Sequence, residues 1–104
     1  MEAVLPEKLV RDKIPAIVDF SDGSCDFRRA EPSEMMTLLR AKLLEEVDEF
    51  LESQDVAELA DIIEVVFALV DRLGCSRESF EEMRVQKARS RGVFDQGFVL
   101  LREG

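Results

Sequence analysis

Two runs of carboxylates have the types and spacing of metal ligands. Glu45, Glu46 and Glu49 form an E-E-x-x-E run, and Glu58 and Asp61 form an E-x-x-D run that starts after eight intervening residues. Residues three apart share one face of a helix. If the two runs lie on antiparallel neighbouring helices, four carboxylates converge, as in metal-binding helical bundles. The four are Glu46, Glu49, Glu58 and Asp61, and Mg²⁺ or Mn²⁺ is the ion that suits oxygen ligands.

The surrounding stretch favours a positive partner for these acids. Ten acidic residues and no basic ones lie between Leu43 and Asp71. Each like-charged pair at helical spacing destabilises an isolated helix by about 0.2–0.5 kcal/mol. Asp61 stands in a nearly apolar run, where a carboxylate needs a partner or its pKa rises. The spacing leaves alternatives open: a structural ion-pair network, a solvated acidic face, or a Glu58 that only completes a capping box with Asp55.

Composition narrows the chemistry further. The chain has 104 residues, a net charge of −9 and no histidine, tryptophan or tyrosine. The missing histidine removes the commonest general base and most zinc sites, and the negative charge argues against nucleic acid as a partner. No apolar run is long enough to cross a bilayer, so no membrane is expected. Cys25 and Cys75 are interpreted as free thiols in a reducing cytoplasm.

Basic residues form two groups that could face the phosphates of a substrate. Lys8, Arg11 and Lys13 lie near the N-terminus, whereas Arg84, Lys87 and Arg91 follow one another at helical spacing. Carboxylates that hold a metal, with cations nearby, are typical of phosphoryl chemistry. The alternatives are ordinary surface charge for the first group and interaction with a helix C-terminal dipole for the second. No Walker or Rossmann glycine pattern is present.

The hydrophobic pattern predicts an all-α fold of antiparallel helices. Pro15 is expected to open a short helix over 15–20. Three longer helices follow: one that begins at Pro32 or Ser33 and ends near Ser53, one capped by Asp55 that ends at Gly74, and one from Ser76 to about Ser90. The segments 25–30 and 96–101 predict a short β-hairpin. The run from Leu59 to Val70 is apolar on almost every side, which favours a helical bundle completed by a homodimer or higher homo-oligomer.

Four stretches together resemble a known family. They are KLVRDKIP at 8–15, KLLEEVDEFLES at 42–53, ELADIIEVVFAL at 58–69 and KARSRGVF at 87–94. They are similar to the all-α nucleoside-triphosphate pyrophosphohydrolase superfamily (MazG-like and phosphoribosyl-ATP pyrophosphohydrolase-like), and within it to the small house-cleaning branch. The resemblance covers most of the chain as a single domain, 1–104, and the motifs occur in the expected order.

The resemblance implies a helical dimer or larger assembly with a Mg²⁺ site, for which Mn²⁺ is the alternative ion. It assigns metal binding to Glu46, Glu49, Glu58 and Asp61, and it gives Glu45 the role of orienting water or a ligand. Lys87 and Arg91 match basic positions that meet phosphate.

The implied reaction is hydrolysis of a nucleoside triphosphate, of a standard or damaged kind, to monophosphate and pyrophosphate. Histidine-biosynthesis enzymes carry Tyr-His where this chain has Val66-Phe67, which argues against phosphoribosyl-ATP. Another pyrophosphate-containing metabolite and a non-catalytic dimerisation module are the alternatives.

Overall fold

The part of the chain that the structure describes forms four α-helices. The computed structural model describes residues 7–21 and 26–102, and the side chains of 19–21 are not part of that description. The helices are α1 (Ile14–Ser21), α2 (Met35–Ser53), α3 (Val56–Arg72) and α4 (Arg77–Arg91), and a 3-10 turn, Pro32–Glu34, precedes α2. The described ranges contain no strand, so the predicted all-α class is confirmed.

The entry to α2 is fixed by a turn of three residues. Pro32 occupies the first position of that turn, as the sequence suggested, but the capping residue is Glu31 rather than Ser33. The backbone N–H of Glu31 donates to Oε2 of Glu34 at 2.8 Å, which satisfies one of the donors that a helix start leaves without a partner. At the other end Gln54 has a φ of 56° and donates its N–H to the carbonyl of Phe50 at 2.7 Å. This left-handed residue ends α2 near Ser53, as predicted.

The two residues Gln54 and Asp55 turn the chain directly from α2 into α3. Asp55 caps α3, because its Oδ1 accepts the N–H of Ala57 at 3.0 Å. With so short a connection, α2 and α3 lie against each other, and this is the most extensive contact between elements in the described chain. The hairpin of α2 and α3 therefore brings the two acidic runs together.

The helices leave much apolar surface uncovered. Among the described residues, only Leu39, Val65 and Val70 are buried apolar side chains. Helix α4 packs against α3, with the rings of Phe67 and Phe80 edge to face at 6.5 Å, and makes no contact with α2. The radius of gyration is 18.0 Å, whereas a compact domain of this length has about 13 Å.

The predicted β-hairpin is wrong. Residues 26–30 and 96–101 form no strand, and Cys25 lies outside the described residues. The physical reason is that a strand needs a partner, and 96–101 is exposed along its whole length, with Phe98 94% exposed. The apolar residues of 96–101 alternate as in a strand, but the described part of the chain provides no neighbouring strand to pair with them. Cys75 is a free thiol. None of the helices in the described ranges has the length and apolar character to span a membrane.

Candidate metal centre

The α2–α3 hairpin places both acidic runs at one location. Carboxylate oxygens of Glu45, Glu46 and Glu49 lie within 4.8 Å of one another, and so do those of Glu46, Glu58 and Asp61. Glu46 belongs to both groups and joins the two helices. We call these five residues the acidic cluster. Their juxtaposition arises because residues three apart share a helix face and the connection between the helices is only two residues long.

Glu46 is the most constrained member of the acidic cluster. It is only 6% exposed, and its Oε1 lies 3.2 Å from Nζ of Lys42, one helical turn earlier. Its Oε2 is buried and has no hydrogen-bond partner among the residues that the structure describes. A buried charged oxygen without a donor is costly, because no water replaces the lost hydrogen bonds. A cation that binds this oxygen removes that cost, so the residues present fit a metal ion.

Glu45 is held ionised by two lysines. Its Oε1 accepts from Lys8 at 3.0 Å and its Oε2 accepts from Lys42 at 3.2 Å. Burial opposes ionisation, but the two hydrogen bonds outweigh it, so the pKa of Glu45 lies below its ordinary value. The pKa of Lys42 is raised, since its bonds to Glu46 and Glu45 outweigh the effect of its own burial. In its ionised form, Glu45 can accept a hydrogen bond from a donor such as a water molecule.

Glu49 and Glu58 carry the uncompensated charge. No ion pair reaches either residue within the described chain. The charge of Glu46, followed by desolvation, raises the pKa of Glu49. Desolvation, followed by the charges of Asp61 and Glu46, raises the pKa of Glu58. Neighbouring carboxylates contribute to both shifts, and for Glu49 they are the largest cause.

Asp61 has the partner that its apolar surroundings predicted. Nη2 of Arg11 lies 2.6 Å from Oδ1 of Asp61. Part of the cluster is therefore an ion-pair network, which was the alternative to a metal site. Within residues 7–21 and 26–102, that network reaches Glu45, Asp61 and one oxygen of Glu46, but it leaves Glu49, Glu58 and the second oxygen of Glu46 without a cation.

The two basic groups have different positions. Lys8 and Arg11 contact the acidic cluster, whereas Lys13 is exposed. On α4, Arg84 pairs with Glu81, which raises the pKa of Arg84 and lowers that of Glu81, mainly through their hydrogen bonds. Lys87 and Arg91 are exposed, with no acid partner in the part of the chain that is described. Because α4 contacts only α3, this chain does not bring the basic face of α4 against α2.

The sequence interpretation did not assign Lys42 a role in the site. Lys42 contacts both Glu45 and Glu46 at 3.2 Å, and its side chain is only 16% exposed. The signal was present, because a lysine three and four residues before two glutamates lies on their helix face.

Comparison of the chain with protein-family models, curated proteins and solved structures finds no match. The family resemblance therefore rests on the four quoted sequence stretches.

Proposed function

We propose that the protein is a divalent-metal-dependent pyrophosphohydrolase that converts a nucleoside triphosphate to its monophosphate and pyrophosphate. The observation that carries the proposal is the buried, unpartnered Oε2 of Glu46 at the meeting point of two carboxylate groups. An acidic cluster that served only solubility would expose its carboxylates to water. This one buries its central carboxylate and keeps a second helix's acids beside it.

The acids of α2 and α3 supply the metal ligands in this proposal. Glu46, Glu49, Glu58 and Asp61 would hold Mg²⁺, or Mn²⁺ in its place. When bound, such an ion polarises phosphate oxygens and lowers the pKa of a water ligand. Glu45, whose hydrogen bond to Lys42 favours its ionised form, is suited to accept a hydrogen bond from that water and to orient it.

Basic side chains would bind the phosphates. Lys8 and Arg11 already lie at the acidic cluster, and Lys13 follows them on the same segment. Lys87 and Arg91 extend from α4 without acid partners among the described residues, so they are available to a substrate. Cationic groups of this kind offset the charge that develops on a leaving pyrophosphate.

The proposed functional unit is a homodimer or a larger assembly. Leu59 and Ile63 lie one turn apart on α3 and remain 41% and 48% exposed. Phe94 and Phe98 are almost fully exposed as well. Apolar surface on this scale is typical of a subunit interface. The same observation favours the second candidate function, a helical dimerisation module without catalytic activity.

Two experiments separate these candidates. Titration calorimetry with Mg²⁺ and a non-hydrolysable nucleoside triphosphate should give binding of both ligands for the enzyme, and of neither for a dimerisation module. A panel of standard, deoxy and damaged nucleotides, with both products identified, should then give monophosphate and pyrophosphate. Release of orthophosphate alone would contradict cleavage between the α and β phosphates.

A further inference from the structure

The segment before α1 is held across the protein by three ion pairs. Glu7 pairs with Arg28 at 2.9 Å, Lys8 with Glu45 at 3.0 Å, and Arg11 with Asp61 at 2.6 Å. The last two partners lie on α2 and α3, 37 and 50 residues later in the chain. Two cations from one short segment therefore enter the acidic cluster from outside the helical hairpin.

These two cations are held more loosely than Lys42. The side chains of Lys8 and Arg11 are 59% and 54% exposed, whereas that of Lys42 is 16% exposed. Exposed ion pairs contribute little to stability, because water solvates the separated charges almost as well. Lys8 and Arg11 can therefore leave at small cost, whereas Lys42 is part of the helix face and stays.

The charges of the acidic cluster and the contact between Arg11 and Asp61 show where a divalent ion would compete with these cations. Five carboxylates of the acidic cluster stand against three cations, Lys8, Arg11 and Lys42, which leaves two negative charges in excess. Without Lys8 and Arg11 the excess is four. A divalent ion at Glu46, Glu58 and Asp61 would also meet the guanidinium of Arg11, a like charge already in contact with Asp61. The ion and Arg11 compete for the same carboxylate.

We propose that Lys8 and Arg11 are exchangeable internal counter-ions of the acidic cluster, which a divalent cation displaces. This inference rests on the metal site of the proposed function. The ion pair between Glu7 and Arg28 keeps the released segment nearby. Arg28 is itself fixed, because its two guanidinium NH2 groups donate to the two carboxylate oxygens of Glu34 at 2.8 and 2.9 Å. None of these three residues belongs to the acidic cluster.

Mn²⁺ titration calorimetry on the metal-free protein tests the competition. Arg11→Ala should bind Mn²⁺ about two- to fivefold more tightly than the wild type, since no cation has to be displaced. Arg11→Lys keeps the charge and should bind as the wild type does. Arg29→Ala is the matched control, because Arg29 is an exposed arginine without an ion pair among the described residues, and its affinity should be unchanged. Equal or weaker Mn²⁺ binding by Arg11→Ala would overturn the inference.

Limited trypsin digestion provides a readout of the displacement itself. Trypsin cleaves a segment more readily when it detaches from the fold, so cleavage after Lys8 and Arg11 should rise on addition of Mn²⁺, relative to cleavage after Arg29 in the same digest. An unchanged ratio at saturating Mn²⁺ would refute the displacement and leave the metal site intact. Absence of Mn²⁺ binding in every variant would instead refute the proposed function, and this inference with it.

Discussion

Nζ of Lys42 lies 3.2 Å from Oε1 of Glu46, and the same ammonium lies 3.2 Å from Oε2 of Glu45. One lysine thus serves two carboxylates, and it reaches only one oxygen of the buried one. Among the described residues, Oε2 of Glu46 is left without a donor, and the neighbouring Glu58 of α3 has no ion pair. The helix supplies part of the neutralisation that burial of Glu46 requires, and the proposed metal ion would supply the remainder.

A divalent ion should stabilise the folded protein through Glu46. At a Mg²⁺ concentration about 100-fold above its dissociation constant, we expect a gain of about 2.7 kcal/mol, which for a domain of this size corresponds to about 10 °C or more in Tm. Glu46→Gln removes the charge and should abolish most of this gain. Glu52→Gln, an exposed glutamate on the same helix, is the control. Circular dichroism melts measure both, and a wild-type Tm that ignores Mg²⁺ would contradict the metal site.

Asp61→Asn should separate activity from folding. The substitution keeps the shape of the side chain but removes a proposed metal ligand. Substitution of residues that only hydrogen-bond to metal ligands already lowers activity about 10–100-fold in other metal sites. We therefore expect kcat/KM to fall by more than about 100-fold. The lost ion pair with Arg11 is partly exposed and is worth at most about 1 kcal/mol. Removal of repulsion from Glu58 acts in the opposite direction, so the variant should remain folded.

Asp48→Asn is the matched control for that experiment. Asp48 is exposed on α2 and is not a member of the acidic cluster, so its substitution should leave Mg²⁺-supported hydrolysis unchanged. Near-normal activity of Asp61→Asn would show that its assignment as a metal ligand is wrong.

The metal-free protein should lose stability as pH rises through the range above 4.5, the ordinary pKa of a glutamate. The pKa values of Glu49 and Glu58 are raised in the folded state, so the folded protein binds more protons there than the unfolded chain. Stability then falls with increasing pH. Glu34 acts oppositely: its bonds to Arg28 lower its pKa to about 2, and its contribution is lost as pH falls from 4.5 towards 2.

Melting temperatures between about pH 5 and pH 7 measure the loss of stability that Glu49 and Glu58 cause as pH rises. Glu58→Gln removes one of the two titrating groups and should flatten the curve. Saturating Mg²⁺ should flatten it too, since a cation at these carboxylates favours their ionised form. A metal-free Tm that rises over this range in the wild type, with the same slope in Glu58→Gln, would contradict the charge excess.

Self-association should depend on the exposed apolar stripe of α3, which includes Leu59 and Ile63. Sedimentation at micromolar concentration should give a dimer or larger assembly, with a two-fold arrangement as the commonest geometry. Ile63→Glu places a charge on this stripe and should shift the species towards monomer. Since Ile63 is 48% exposed within one chain, the monomer has room for the new side chain. A wild-type protein that is monomeric and active would refute this prediction.

The sequence predicted the helices better than the contacts between distant segments. Asp55 as a cap and a stop near Ser53 follow from local chemistry, and so does the meeting of the two acidic runs, because a two-residue connection constrains the geometry. The pair Arg11–Asp61 spans 50 residues, and no local pattern specifies it. The hairpin prediction was wrong because alternation indicates which side chains are apolar, whereas strand formation depends on a neighbouring strand, and the described part of the chain offers none to residues 96–101.

The last prediction concerns the basic face of α4. Lys87→Ala and Arg91→Ala should each lower kcat/KM about tenfold to hundredfold, because loss of a charge-assisted contact to phosphate costs about 1.5–3 kcal/mol. Arg84→Ala should have a smaller effect, since Glu81 already engages Arg84. Mg²⁺ binding without nucleotide should be unchanged in all three. Arg89→Ala, an exposed arginine of the same helix outside this spacing, serves as the control.

Interaction with the helix dipole alone gives a different outcome for these variants. It predicts a stability loss of about 0.3–1 kcal/mol and little change in kinetics. Melting temperature and kcat/KM measured on the same proteins therefore distinguish the two roles. A lowered Tm with unchanged kcat/KM would restrict Lys87 and Arg91 to a structural role and leave Lys8, Arg11 and Lys13 as the phosphate-binding residues.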